Sequence, residues 1–304
     1  MARARRSVLL RLLLLGTVLV GTGALGLALL GTGQAGAEAG IGVQRRTAYL
    51  SPSGVFRFRP KTTQRAASRN PEWPGAWVVL NRWGFRGPEG GPGGPKVLLL
   101  GDSYVFGNGL KDAETLDRRL EPLLRRRAPT ASVLNLGVPG YNLESSLILA
   151  REMVDRHRPA AAVVTFLEED DLAAFDISAR LSFDLAHPRW SALLERAGLD
   201  PYLLERRFLS RRLGRERLED VLRRRVLEPG LQRRTRLIFY LRGRKFLAVF
   251  SALGLEAVAD SEPRPCEPLC FIPGDGHPTA ELVILWAEKL AALLGPGLSG
   301  SGPR

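Results

Sequence analysis

Ser103 is the residue that most invites chemistry. It follows Gly101-Asp102 at the end of an apolar run, in the stretch KVLLLGDSYVFGNGL from Lys96 to Leu110. An apolar run of that length closed by glycine has the form of a buried parallel strand ending in a tight turn. Ligands bind along the carboxyl edge of open α/β sheets, so the Ser103 hydroxyl is placed to act as a nucleophile. A hydroxyl attacks an ester carbonyl only as it loses its proton, and a neutral imidazole in hydrogen-bond reach accepts that proton best near neutral pH. The chain offers three imidazoles. His157 closes a helical pattern in an arginine-rich, proline-flanked corner, His187 lies in a long basic stretch, and His277 stands in Asp275-Gly276-His277-Pro278 just before the last helical pattern.

The elements that must position these groups follow from periodicity. Strands are predicted at Val97–Leu100, Ser132–Leu136, Ala161–Leu167 and Leu237–Leu241, with a last short one at Glu256–Ala259. Between them fall helical patterns over 114–127, 143–157 and 245–253, and a closing amphipathic helix over 279–294 that should stop at Gly295-Pro296. Strand and helix in alternation predict an α/β fold with a mainly parallel sheet wrapped by helices. Residues 173–236 break the rhythm. Twelve arginines between Arg206 and Arg236, interleaved with leucines, predict a basic helical insertion lying over the sheet's carboxyl edge, where a lid would lie.

The 304 residues suffice for one sizeable α/β domain with an appendage. The formal net charge is +13, from 44 Lys+Arg against 31 Asp+Glu. No nucleic-acid-binding motif accompanies that excess, so nucleic acid is not expected as a partner, and an anionic surface or acidic glycan met by the arginine-rich insertion is. Leu12 to Leu30 are nineteen uncharged residues preceded by Arg3, Arg5, Arg6 and Arg11. They predict a transmembrane helix over residues 8–30 with the remainder in the periplasm; a cleaved signal, with secretion, is the alternative. Cys266 and Cys270 are too few to close a structural zinc site, so no metal is expected. In an exported chain they would form a disulfide; otherwise they are free thiols.

Gly101-Asp102-Ser103, then Asn135-Leu136-Gly137-Val138-Pro139-Gly140-Tyr141, then Asp275-Gly276-His277-Pro278, resemble the first, second and fifth blocks of the SGNH, or GDSL, hydrolases. The resemblance spans roughly residues 50–295. It implies a three-layer, flavodoxin-like sandwich over 96–295, preceded by an anchor or signal segment with its linker (1–40) and a cover segment (41–95), and followed by a tail (296–304). Asn81-Arg82-Trp83-Gly84-Phe85-Arg86-Gly87 is similar to the segment before the first block in membrane-anchored or secreted bacterial members, where it covers the core.

The same resemblance assigns Ser103 as nucleophile, His277 as base and Asp275 as the carboxylate that orients it. Asp275 stands two residues before the histidine, where the family has three. The oxyanion donors would be the Ser103 and Gly140 N–H groups. The family's third donor, an asparagine side chain, is missing: Leu167-Glu168-Glu169-Asp170-Asp171-Leu172 puts Glu169 or Asp170 in its place. The expected activity is a cofactor-free serine esterase acting outside the cytoplasm on acyl or acetyl esters, including those of glycans or lipids. Two alternatives stand beside it: an O-acetyltransferase for exported polysaccharide, similar to the alginate-acetylation members, and a binding protein on this frame whose catalysis is impaired by the missing asparagine.

Overall fold

The computed structural model describes residues 47–91, 93–166, 185–196, 214–260 and 265–298. Two antiparallel hairpins come first, β1 (Ala48–Leu50) with β2 (Phe56–Phe58) and β3 (Thr63–Ala66) with β4 (Ala76–Val79). A five-stranded sheet follows, built from β5 (Lys96–Gly101), β6 (Ser132–Gly137), β7 (Ala161–Phe166), β8 (Arg236–Leu241) and β9 (Glu256–Ala259). Its order is β6-β5-β7-β8-β9 and every neighbouring pair is parallel. The winding reverses between β5 and β7, and the crevice at such a reversal, beyond the carboxyl ends of the strands, is where doubly wound sheets bind ligands. Ser103 opens the first element after β5.

Seven α-helices are described: α1 (Ser103–Phe106), α2 (Leu116–Arg125), α3 (Leu143–His157), α4 (Pro188–Arg196), α5 (Gly214–Leu222), α6 (Leu247–Ala252) and α7 (Ala280–Leu298). Alternate residues of β5 serve opposite layers, as strand geometry requires. Val97 and Leu99 pack with Leu120 and Leu124 of α2 and Val283, Trp286 and Leu290 of α7. Leu98 and Leu100 pack with Leu147, Ala150 and Val154 of α3 and with residues of α5 and α6. Burial on both faces is why β5 reads as an unbroken apolar run rather than an alternating one. The hairpins add Phe56, Phe58, Val78 and Phe85 to the α3 layer. Arg57 pairs with Glu152 of α3 through both carboxylate oxygens.

The structure departs from the sequence reading at two places. The transmembrane helix expected over residues 8–30 lies outside the described residues, and among the described residues no helix is long and apolar enough to cross a membrane. The longest described helix, α7, carries Glu281, Glu288 and Lys289 on one side and gives its apolar stripe to the sheet. The single-pass periplasmic placement expected from that segment has no spanning helix behind it among the described residues. Secondly, α7 does not stop at Gly295-Pro296 but runs to Leu298. Arg236 donates from Nη1 to the Leu293 carbonyl at 3.1 Å, in the turn before Pro296. The described part of the basic insertion packs into the α3 layer. Leu218, Leu222, Val226 and Leu231 are buried in the α3 layer, and Arg225 donates to Glu144 of α3 at 2.6 and 2.9 Å. Residues 167–184 and 197–213 of that region lie outside the described residues.

Candidate active site

The surroundings of Ser103 are built from three neighbouring elements. Asp102 caps α1, its Oδ1 accepting the Tyr104 N–H at 2.9 Å. Gly137 of β6 is in register with Gly101, and a Cβ on it would lie 2.2 Å from the Phe106 nitrogen. Any side chain there would force α1, and the serine with it, away from the sheet. Asn135 reaches the same helix from the same strand. Its Nδ2 donates to the Val105 carbonyl and to Asp117 Oδ1, each at 2.8 Å, and its Oδ1 accepts the Gly137 N–H at 3.0 Å.

Asp117 sits behind this junction with its side chain 1% exposed. Burial pushes its pKa above the ordinary carboxylate value, against hydrogen bonds from Asn135 and Thr115 and the charge of Arg118. A raised folded pKa means that the unfolded chain gives up this proton first as pH rises, so Asp117 lowers stability above the usual carboxylate range. Asp117→Asn should remove that dependence. Urea midpoints of wild type and variant, measured from about pH 4 to about pH 7, should diverge with the wild type losing relative stability as pH rises; parallel curves would contradict the assignment.

Arg86, from the Asn81–Gly87 motif, holds the turn after α1. Its side chain is 1% exposed. Nη1 donates to the carbonyls of Phe106 (3.0 Å) and Gly107 (2.7 Å), and Nη2 to that of Leu110 (2.9 Å) and to Asp112 Oδ1 (2.7 Å). Five donors on a planar fork suit a ring of carbonyls, which is why an arginine serves here and a lysine would not.

His277 is carried by a hairpin-like return at the start of α7. Cys266 and Cys270 are joined by a disulfide with Cα atoms 5.0 Å apart, closing the loop that leads into it. Phe271 bridges to Pro278, the Ile272 N–H donates to the His277 carbonyl at 2.8 Å, and the Thr279 N–H to that of Cys270 at 3.0 Å. Between the arms, Gly276 has φ of 84°, a left-handed conformation that folds the Asp275 side chain back toward the imidazole. This turn closes the gap that the shortened spacing between aspartate and histidine would otherwise leave.

The structure brings Ser103, Asp275 and His277 together. His277 Nε2 lies 2.8 Å from Ser103 Oγ, and its Nδ1 lies 2.7 Å from Asp275 Oδ2. The Asp275 side chain is 1% exposed and that of His277 is 18% exposed, so the carboxylate is covered while the ring edge reaches the crevice. Asp275 also accepts the Arg69 N–H on Oδ1 at 3.1 Å. Burial is the largest influence on its pKa and works upward, but the His277 charge and hydrogen bond, the Arg69 N–H and the Ser68 hydroxyl outweigh it and hold the pKa below the ordinary value. An ionised carboxylate only accepts, so the proton of this pair sits on Nδ1, leaving Nε2 to accept from the serine hydroxyl.

The other predicted residues are distributed as follows. Gly140 lies in the loop after β6, where the Val138 N–H donates to the Gly101 carbonyl at 3.0 Å and so ties that loop to the end of β5. His157 closes α3 and packs edge-on against Trp83 with ring centroids 6.2 Å apart; burial, Arg156 and Lys96 lower its pKa. Lys96 begins β5, which puts His157 at the sheet's amino end, away from the serine. His187 immediately precedes α4. Glu169 and Asp170 lie outside the described residues. Among the described residues no group of three or more His, Cys, Asp or Glu side chains could hold a metal ion.

Sequence reading missed the contribution of the cover segment. Arg69 and Arg86 come from it, and each bonds to a functional element far along the chain. The available signal was Arg86 itself, a lone cation between Phe85 and Gly87.

No family model and no curated protein matches the chain. Among solved structures it is similar to a two-domain esterase active on acetylated mannans, at 14% identity and a TM-score of 0.44, over 69% of this chain and 51% of that one. The chain thus spans about half the length of that esterase. It is also similar to the lipase/acylhydrolase from Enterococcus faecalis (14% identity, TM-score 0.43, 68% of this chain and 99% of that one). A third likeness is to an SGNH-hydrolase family esterase (19% identity, TM-score 0.36, 70% of this chain and 100% of that one).

Proposed function

We propose that the protein hydrolyses acyl or acetyl esters through Ser103, His277 and Asp275, as an SGNH-type serine esterase. The observation that supports this reading is the continuous hydrogen-bonded line Ser103 Oγ, His277 Nε2, His277 Nδ1, Asp275 Oδ2, at 2.8 and 2.7 Å, at the carboxyl edge of the sheet. Ser103 Oγ attacks the ester carbonyl while Nε2 takes its proton. The cation formed on the ring is stabilised by the Asp275 carboxylate. The negative oxygen of the tetrahedral intermediate is met by the Ser103 and Gly140 N–H groups. As the intermediate collapses, the leaving alcohol takes the proton back from Nε2 and the acyl group stays on Ser103. Water then enters under the same base and releases the acid.

A second reading is favoured by one sequence observation. The acidic run Glu168–Asp171 replaces the family's asparagine, which suits a binding protein with impaired catalysis on this frame. One missing oxyanion donor typically costs ~10²- to 10³-fold in rate. The two readings separate on a single measurement, release of nitrophenol from p-nitrophenyl acetate together with fluorophosphonate labelling. The esterase reading expects labelling at Ser103 and turnover that Ser103→Ala abolishes; no labelling, with variant and wild type at the same background rate, decides for the binding protein.

A further inference from the structure

Tyr104 links the two halves of the site. It follows Ser103 directly, so its backbone is continuous with the nucleophile, and its N–H is fixed by Asp102 at 2.9 Å. Its hydroxyl donates to the carbonyl of Gly276 at 2.6 Å, the residue between Asp275 and His277. The same hydroxyl accepts from Arg242 Nη1, 3.3 Å away at the carboxyl end of β8. The phenol ring lies 5.5 Å from the His277 ring and stacks at 6.2 Å and 21° on Trp286 of α7.

We propose that Tyr104 is a positioning residue that sets the distance between the Ser103 hydroxyl and the His277 imidazole. The need for it lies in the turn it holds. His277 and Asp275 sit on a glycine-flanked loop whose backbone has wide freedom, with Gly274 at φ 71° and Gly276 at φ 84°. Hydrogen bonds from Ile272 and Thr279 fix the outer arms of that loop, and the Asp275 and Gly276 N–H groups turn inward to the Ile272 carbonyl, whereas the Tyr104 hydroxyl holds the outward Gly276 carbonyl and ties the tip to the residue beside the serine. The strut ends on the residue next to the serine, so the tip is referenced to the nucleophile itself. Trp286 keeps the ring from swinging and Arg242 polarises the hydroxyl, which strengthens its donation to the Gly276 carbonyl. Tyr104 touches neither substrate nor the proton in flight, so its effect is on geometry. A serine and base moved apart by a fraction of an ångström still bind substrate but transfer the proton less often.

This inference rests on the esterase reading, and Tyr104→Phe in the full chain tests it, because the ring and its stacking remain and one oxygen is removed. Two readouts are taken: steady-state kinetics on p-nitrophenyl acetate, and the downfield proton resonance of His277 Nδ1–H. Loss of one hydrogen bond of this kind should lower kcat about 3- to 10-fold with KM unchanged, and the Nδ1 proton should shift or broaden. An active wild type whose kcat is matched by the variant overturns the proposal. A KM rise at constant kcat also overturns it, since that marks a substrate contact. If the wild type shows no Ser103-dependent turnover, the esterase reading fails on its own account and the resonance alone decides: moved in the variant supports the strut, unmoved overturns it.

Discussion

His277→Ala is expected to lower kcat on p-nitrophenyl acetate by about 10⁴-fold or more while KM stays near its wild-type value. On the proposed mechanism the imidazole is required only as the serine proton moves, so its removal takes stabilisation from the transition state and leaves substrate binding intact. The fold should survive. The ring is 18% exposed, and its hydrogen bonds go to Ser103 and Asp275 rather than to the sheet. Far-ultraviolet circular dichroism close to wild type, alongside the lost turnover, is the expected pair of results. The variant should also regain part of its rate when free imidazole is supplied, since the deleted ring leaves room for one. Turnover equal to wild type would remove His277 from the mechanism.

Arg86→Ala is expected to be the most destabilising single change among the residues discussed, by about 3–5 kcal/mol. The cost is the number of groups abandoned together. The carbonyls of Phe106, Gly107 and Leu110 each lose their guanidinium donor in a place that water does not reach. Arg86→Lys should recover little of that loss, because one ammonium cannot address three carbonyls and the Asp112 carboxylate at their separate angles. Denaturant midpoints of the three proteins check this, and a lysine variant as stable as wild type would refute the geometric argument. The turn held by Arg86 begins where α1 ends, so the partly folded variants should lose Ser103 reactivity before they lose the sheet.

Much of the central sheet was legible in the sequence because its strands are buried on both faces and therefore apolar throughout. Val97–Leu100 and Ile238–Leu241 could hardly be read otherwise. Helix α3 was legible at both ends, since Asn142 caps it by accepting the Ser145 N–H and Arg158 stops it in a left-handed conformation before Pro159. Less legible was what depends on long-range pairing. The continuation of α7 through Pro296 brings Leu298 into the core, and no local propensity carries that information. In the basic insertion the arginines dominate the sequence, whereas the buried Leu218, Leu222 and Val226 carry its packing.

The candidate site divides in the same way. Ser103, Asp275 and His277 were named through the resemblance of the sequence blocks around them. The spacing between aspartate and histidine, one residue shorter than the family's, is absorbed by the backbone of Gly276. Tyr104, Arg69 and Asn135 could not be assigned, because the groups they hold are mostly backbone carbonyls, a backbone N–H and one carboxylate oxygen, and a sequence does not advertise which main-chain atoms are left wanting.

Ser68 to Arg86 precede every strand of the central sheet, yet the Ser68 hydroxyl and the Arg86 guanidinium end on the aspartate beside His277 and on the turn behind Ser103. Tolerance to substitution will therefore not track distance along the chain from the reactive groups. Positions that look like an upstream ornament should be as unforgiving as those in the crevice, and a random library selected for turnover would show depletion there well before the first β-run of the core begins.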